Sequence, residues 1–287
     1  MGLADSSEHD ARAWSAMSTA HSCFLYEDRA HSRVVTAAFL AEGLRHGQRV
    51  GYMGWDDPAE LAELRASFIG IYEPDDADHR DAVLVASLDD VYRRDVVPAP
   101  DERLEFWART MDETLAAGFD ALRVVTDTTP WLSLPDQRGT FLRSEMLLDR
   151  YMLDHPLTVL CVCDRTRLDA DAIDDILSIH PSTMATPPPF RVHAAPTANL
   201  ALDGEIDAMS APLLERLLAD VDDTPVGQDL LIDAEQLAFV NHHGVFALER
   251  HAVRAGLRAV VMRRASSTIE RLIDLLDLQH VRTEGTR

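Results

Sequence analysis

The chain has 287 residues, 46% of them apolar, with 27 basic against 49 acidic side chains and a formal net charge of −22. That size accommodates two domains with substantial cores, and the negative charge disfavours nucleic-acid phosphates and anionic membrane surfaces as partners. Every basic residue is arginine, which excludes a Schiff-base or P-loop lysine, and no segment is apolar and long enough to span a bilayer.

Residues 1–20 start acidic and carry no apolar h-region, so an N-terminal extension is expected rather than a secretory leader. Met1-Gly2 followed by Ser6 matches a myristoylation pattern that is short and common. From there strand-like and helix-like segments alternate. Ser22–Tyr26 (SCFLY) reads as a buried strand and Arg33–Arg45 as a helix with Val34, Ala38, Leu40 and Leu44 at helical period. Arg49–Met53 is a second strand, Pro58–Phe68 a second helix and Ala82–Ala86 a third strand. Asp101–Ala117 is a helix, Leu122–Thr126 a strand, Asp136–Met152 a helix, Leu157–Val162 a strand and Ala170–Ile179 a helix. Short apolar runs separated by helices predict a parallel sheet covered on both faces.

The run from His180 to Leu200 holds five prolines after His180 and little periodicity, a linker signal. The expected organisation is an extension over 1–20, a first domain over 21–183, a linker over 184–191 and a second domain over 192–287. In that second domain Asn199–Glu205, Asp229–Ile232 and Arg258–Met262 are strand-like. Ala211–Val221, His243–Gly256 and Ser267–Leu276 are helical, the middle one closing on glycine.

The sequence Leu202-Asp203-Gly204-Glu205-Ile206-Asp207, a helix, Leu230-Leu231-Ile232-Asp233, then Phe239-Val240-Asn241-His242-His243-Gly244 resembles the STAS domains of sulphate transporters and anti-sigma-factor antagonists. The antagonist members carry Asp-Ser-Ser/Thr-Gly at that last turn, and a partner kinase phosphorylates a hydroxyl there. The resemblance puts the Asp on Asn241 and the hydroxyl pair on His242 and His243, with Gly244 matching. The acceptor is absent, so the resemblance implies docking to an anti-sigma factor or similar kinase-like partner without that phospho-switch. A chemical role for the two histidines stays open, as does a merely polar one at a helix start.

The segment from His21 to Trp55, HSCFLYEDRAHSRVVTAAFLAEGLRHGQRVGYMGW, resembles the start of MEDS domains, sensory domains of methanogens and methylotrophs. Glu145, the Cys161-Val162-Cys163-Asp164 strand end and His180-Pro181 fit the same family. The resemblance implies a RecA-like fold that binds a small effector. The loop after the first strand, Tyr26-Glu27-Asp28-Arg29-Ala30-His31-Ser32-Arg33, has no glycine-rich turn and no lysine, which argues against ATP hydrolysis.

Ligands of open α/β sheets bind beyond the carboxyl ends of the strands. That places Tyr26, Glu27, Asp28, His31, Trp55, Asp56, Asp127, Thr128, Trp131, Cys163 and Asp164 around an effector pocket, with Glu145 able to join it. Each of these also has an ordinary reading as a cap or a core residue. His21, Cys23, His31, Cys161, Cys163 and His180 are suitable metal-ligand types, but no CxxC or HxxxH spacing is present, so no metal or other cofactor is expected. Three cysteines are too few for a disulfide framework and fit a reducing cytoplasm.

The expectation is therefore a cytoplasmic signalling regulator, not an enzyme: a RecA-like parallel sheet flanked by helices, followed by a small STAS α/β domain. Its partners would be a kinase-like regulatory protein and a small-molecule effector, with no nucleic acid and no membrane; self-association is left open. A hydrolase using the strand-end carboxylates and histidines is the alternative, although neither G-x-S-x-G nor HExxH occurs. A scaffold for a larger signalling complex is the third reading.

Overall fold

A computed structural model describes residues 20–71, 82–184 and 187–284. Six strands build the first sheet: β1 (His21–Tyr26), β2 (Arg49–Gly54), β3 (Val83–Ser87), β4 (Leu122–Asp127), β5 (Leu157–Asp164) and β6 (Ser182–Thr183). They lie in the order β3-β2-β4-β5-β1-β6, and every pairing is parallel. Helices α1 (Arg29–Arg45), α2 (Pro58–Ile71), α3 (Pro100–Ala116), α4 (Thr129–Leu132), α5 (Arg138–Met152) and α6 (Ala170–Ser178) make the crossovers.

The period-two alternation of each strand decides which face a residue serves. Phe24, Val50, Tyr52, Val125, Leu160 and Val162 pack with Val35, Phe39, Leu40 and Leu44 of α1 and Leu64 of α2. Their neighbours Cys23, Leu25, Met53, Val124, Cys161 and Cys163 face the other way. They join a core built with Trp107 and Met111 of α3, Phe141, Leu142 and Met146 of α5 and Ile176 of α6. Burial on both faces explains why these strands read as continuous apolar runs.

The second sheet follows β7 (Phe190–Ala195), β8 (Ala198–Ile206), β9 (Asp229–Asp233), β10 (Leu237–Val240), β11 (Ala259–Arg263) and β12 (Val281–Thr283). Its helices are α7 (Ala211–Val221), α8 (His242–Ala255) and α9 (Ser267–Leu276). The path is β10-β8-β9-β11-β12, all parallel, with β7 antiparallel on β8. Gly256 ends α8 with φ 66°, the left-handed conformation that a helix C-terminus wants and glycine adopts freely. Gly204, near the end of β8, has φ 89°, and a Cβ there would stand 2.5 Å from the Pro189 carbonyl oxygen. Only glycine fits that close backbone approach.

Strand β7 begins inside the proline-rich stretch. Pro189 precedes it and Pro196 lies in the two-residue turn to β8. The prolines bound the strand rather than dissolving it. The two sheets share one continuous apolar cluster, in which Phe190, Val192, Leu214, Leu217 and Leu218 are buried with residues of α5 and α6. Polar contacts reinforce the junction: Arg143 Nε donates to Asp220 O (2.9 Å), Arg150 to Asn199 O (2.9 Å) and Arg216 to Asp175 Oδ1 (2.9 Å). Among the described residues no helix is long and apolar enough to cross a membrane.

Candidate functional site

β2 leads to β3 on one side while its neighbour β4 leads to β5 on the other, so a crevice opens beyond the carboxyl ends of these strands. A cleft of about 210 Å³ occupies it. Its walls are Tyr26 of β1, Tyr52 of β2 and Trp55; its charges are Glu27, Asp56, Asp127 and Asp164 against Arg29, Arg33, Arg94 and Arg167. The Tyr52 hydroxyl donates to Asp56 Oδ2 (2.7 Å), and Arg29 pairs with the same carboxylate and with Glu60 (2.9 Å). Arg94 lies over the Trp55 ring, 5.5 Å from its centroid, and Trp55 Nε1 donates to Asp127 O (2.9 Å).

Electrostatics prepares the cleft for hydrogen bonding. Burial, then the charges of Asp127 and Asp164, pushes the Tyr26 phenol upward. Burial and Asp56 do the same to Tyr52. Both phenols are therefore protonated donors at neutral pH. Burial also raises the Asp127 carboxyl, with Thr129 pulling against it.

Six of the sequence-predicted pocket residues, Tyr26, Glu27, Trp55, Asp56, Asp127 and Asp164, line the cleft. The others have structural duties. Asp28 caps α1 by accepting from Ala30 N (2.9 Å). His31 sets its ring edge-on to Phe24, centroids 5.5 Å apart. Trp131 is buried, T-shaped on Trp55 at 5.1 Å, and donates through Nε1 to Arg93 O (2.9 Å). Cys163 and Thr128 are fully buried on the opposite sheet face, Sγ and Oγ1 3.1 Å apart. Sequence reasoning missed Arg29, Ser32, Arg33 and Thr36, which occupy one polar stripe of α1 at i, i+3, i+4 and i+7. Asp28 as an N-cap was the signal for it, because it starts the helix at Arg29, five residues before the apolar pattern begins at Val34.

The turn into α8 carries the second predicted group. The Asn241 side chain caps the helix by accepting from His243 N (2.9 Å) and Gly244 N (3.3 Å). His242 and His243 are exposed with ring centroids 4.1 Å apart, and His242 lies edge-on to Phe246. Phe239, just before the turn, is 47% exposed. A Cβ on Gly244 would stand 2.6 Å from Val240 and 2.7 Å from Ile206 side-chain methyls, so the helix start sits directly on the sheet. Gly244→Ala is expected to cost about 1–3 kcal/mol through overpacking. Urea unfolding checks it, and an unchanged midpoint would show that the contact yields freely.

Glu145 belongs to neither place. It is 1% exposed on α5 and faces His21 of β1, Cys161 of β5 and His180 beyond α6. Its Oε2 is 3.2 Å from His21 Nε2, 3.2 Å from Cys161 Sγ and 3.4 Å from His180 Nε2, while Oε1 faces Arg103 of α3. Asp149, one turn along α5, sets Oδ1 3.3 Å from His21 Nδ1 and accepts with Oδ2 from Ala194 N of β7 (2.7 Å). Burial alone would raise the Glu145 carboxyl, but Arg103 and His21 hold it well below the usual carboxylate range. Burial opposes charge on His21 too, yet Asp149 and Glu145 raise it to about 9. His180 goes the other way, lowered by burial and by the neighbouring His21. Three of these residues were recognisable as ligand types in the sequence; Arg103 and Asp149 were not singled out.

A family model described as MEDS, the MEthanogen/methylotroph, DcmR Sensory domain, matches residues 20–181. No curated protein matches the chain significantly.

Proposed function

The chain belongs to the MEDS family of sensory domains, and from that premise we propose that it is a signalling regulator whose strand-end cleft binds a small polar effector. The observation that carries the reading is the cleft itself, with two protonated phenols and carboxylates and guanidinium groups in equal number around about 210 Å³. That volume is below the usual range for drug-sized ligands, and the mixed charges suit a compact molecule with both donors and acceptors. The phenols serve as donors rather than nucleophiles, which favours binding over catalysis. The second sheet, which by sequence resembles STAS, then docks a kinase-like regulatory partner. Exposed Phe239 and the His242–His243 pair supply the docking face, without phosphorylation at the turn.

Thermal unfolding with a panel of small polar metabolites tests the first half. A true effector at about 100 times its Kd adds about 2.7 kcal/mol of stability. Asp127→Asn together with Tyr52→Phe is expected to remove that gain. A stabilising compound whose effect survives the double variant would place its site elsewhere, and steady ATP turnover would overturn the binding reading. For the second half, Phe239→Asp is expected to abolish partner capture while leaving effector binding intact.

A further inference from the structure

We propose that His21, Glu145, Cys161 and His180 form a closed binding site for a divalent transition-metal ion, with zinc as the best match. The four donors come from four separate elements, β1, α5, β5 and the segment after α6, which explains why no spacing motif announces them. Their ligand atoms all lie within 4.8 Å of one another, and every one of the four residues is buried.

Four of the six donor–donor distances fit tetrahedral coordination, and the two others, both from His180, stay within 4.8 Å. Metal–ligand bonds of about 2.0–2.3 Å imply a tetrahedron with edges of about 3.3–3.8 Å. The separations are 3.2 Å from Glu145 Oε2 to His21 Nε2, 3.2 Å to Cys161 Sγ and 3.4 Å to His180 Nε2, with 3.6 Å between Cys161 Sγ and His21 Nε2. Imidazole, thiolate and carboxylate together are a zinc donor set, and four protein ligands leave no open position, as in structural sites.

An independent observation points to a ligand. His180 is fully buried and donates through Nδ1 to Ile176 O (2.8 Å), which leaves Nε2 as the unprotonated nitrogen. That Nε2 aims at the other three donors and has no hydrogen-bond partner. An orphaned buried acceptor is costly, and a cation would satisfy it. The supporting contacts also match those of metal-bound histidines, which pass their second nitrogen to a carbonyl or carboxylate. Ile176 O serves His180 in this way, and the Asp149 carboxylate faces His21 Nδ1 at 3.3 Å.

The test uses the untagged full-length protein, stripped with chelator and titrated with zinc or cobalt(II). About one equivalent per chain is expected to bind, and the cobalt form is expected to show intense tetrahedral visible bands with an ultraviolet thiolate-to-metal charge-transfer band. Cys161→Ser should lose the charge-transfer band, whereas Cys163→Ser, on the same strand and face, should keep it. Asp149→Asn should weaken binding about 10- to 100-fold. Failure of folded wild-type protein to retain either metal, or a charge-transfer band that persists in Cys161→Ser, would overturn the assignment. Neither result bears on the effector cleft, which shares none of these four side chains.

Discussion

Replacing Glu145 by glutamine is expected to destabilise chelator-treated protein by about 3–5 kcal/mol. Glu145 is 1% exposed and Arg103 2%, so removing the carboxylate leaves a guanidinium and an imidazolium buried without their main counter-charge. Arg103 would keep only its 2.7 Å bond to Ser144 Oγ and the faces of Trp131 and Phe141, centroids 5.4 and 5.1 Å away. Those cation–π contacts are made with Glu145 in place as well, so they do not offset its loss. The double variant Glu145→Leu with Arg103→Met should recover much of the loss, because an apolar pair of similar volume avoids desolvating either charge. Urea unfolding of the three proteins decides the matter. A loss under about 1 kcal/mol in Glu145→Gln would mean that water reaches the cluster and screens it.

The alternation of apolar runs with helical periods was enough to predict the parallel sheet. All five long strands of the first sheet are strands, and α5 differs only in opening on a 3-10 turn at Pro135–Gln137. What escaped were short or atypical strands. β6 has two residues, β12 three, and β10 shows the burial pattern of an edge, with Ala238 and Phe239 open to solvent. β7 was masked by its prolines. Such strands exist because a neighbour supplies their hydrogen bonds, and for β6, β10 and β12 that neighbour lies outside the local stretch of chain. The site divides in the same way. Residues at strand ends were legible because parallel topology fixes where those ends point. The buried cluster was not, because proximity of residues 21, 145, 161 and 180 follows from the β1–β5 register and from α5 packing on one face of the sheet. Cys161 and Cys163 sharing a face was readable from their spacing; which of them meets a carboxylate was not.

Asp149→Ala is expected to loosen the connection between the two sheets without touching the cleft. One Asp149 oxygen accepts from the Ala194 amide of β7 and the other faces His21 of β1, so a single carboxylate ties the edge of the second sheet to the charge network beneath the first. Its removal orphans an amide on a strand residue that is 3% exposed, worth about 1–3 kcal/mol, and takes one of two counter-charges from His21. Hydrogen exchange at Ala194 should accelerate about 5- to 150-fold, the factor that corresponds to this energy. Asp149→Asn separates the two duties: its amide oxygen still accepts from Ala194, so protection there should persist while the charge contribution is lost. If effector binding in the cleft is read out through α5, the wild type should show effector-dependent exchange in β7 and β8, and Asp149→Ala should bind the effector equally well yet lose that response. Unaltered exchange at Ala194 in Asp149→Ala would remove this carboxylate from the coupling and leave the apolar seam of α5, α6 and α7 as the route between the sheets.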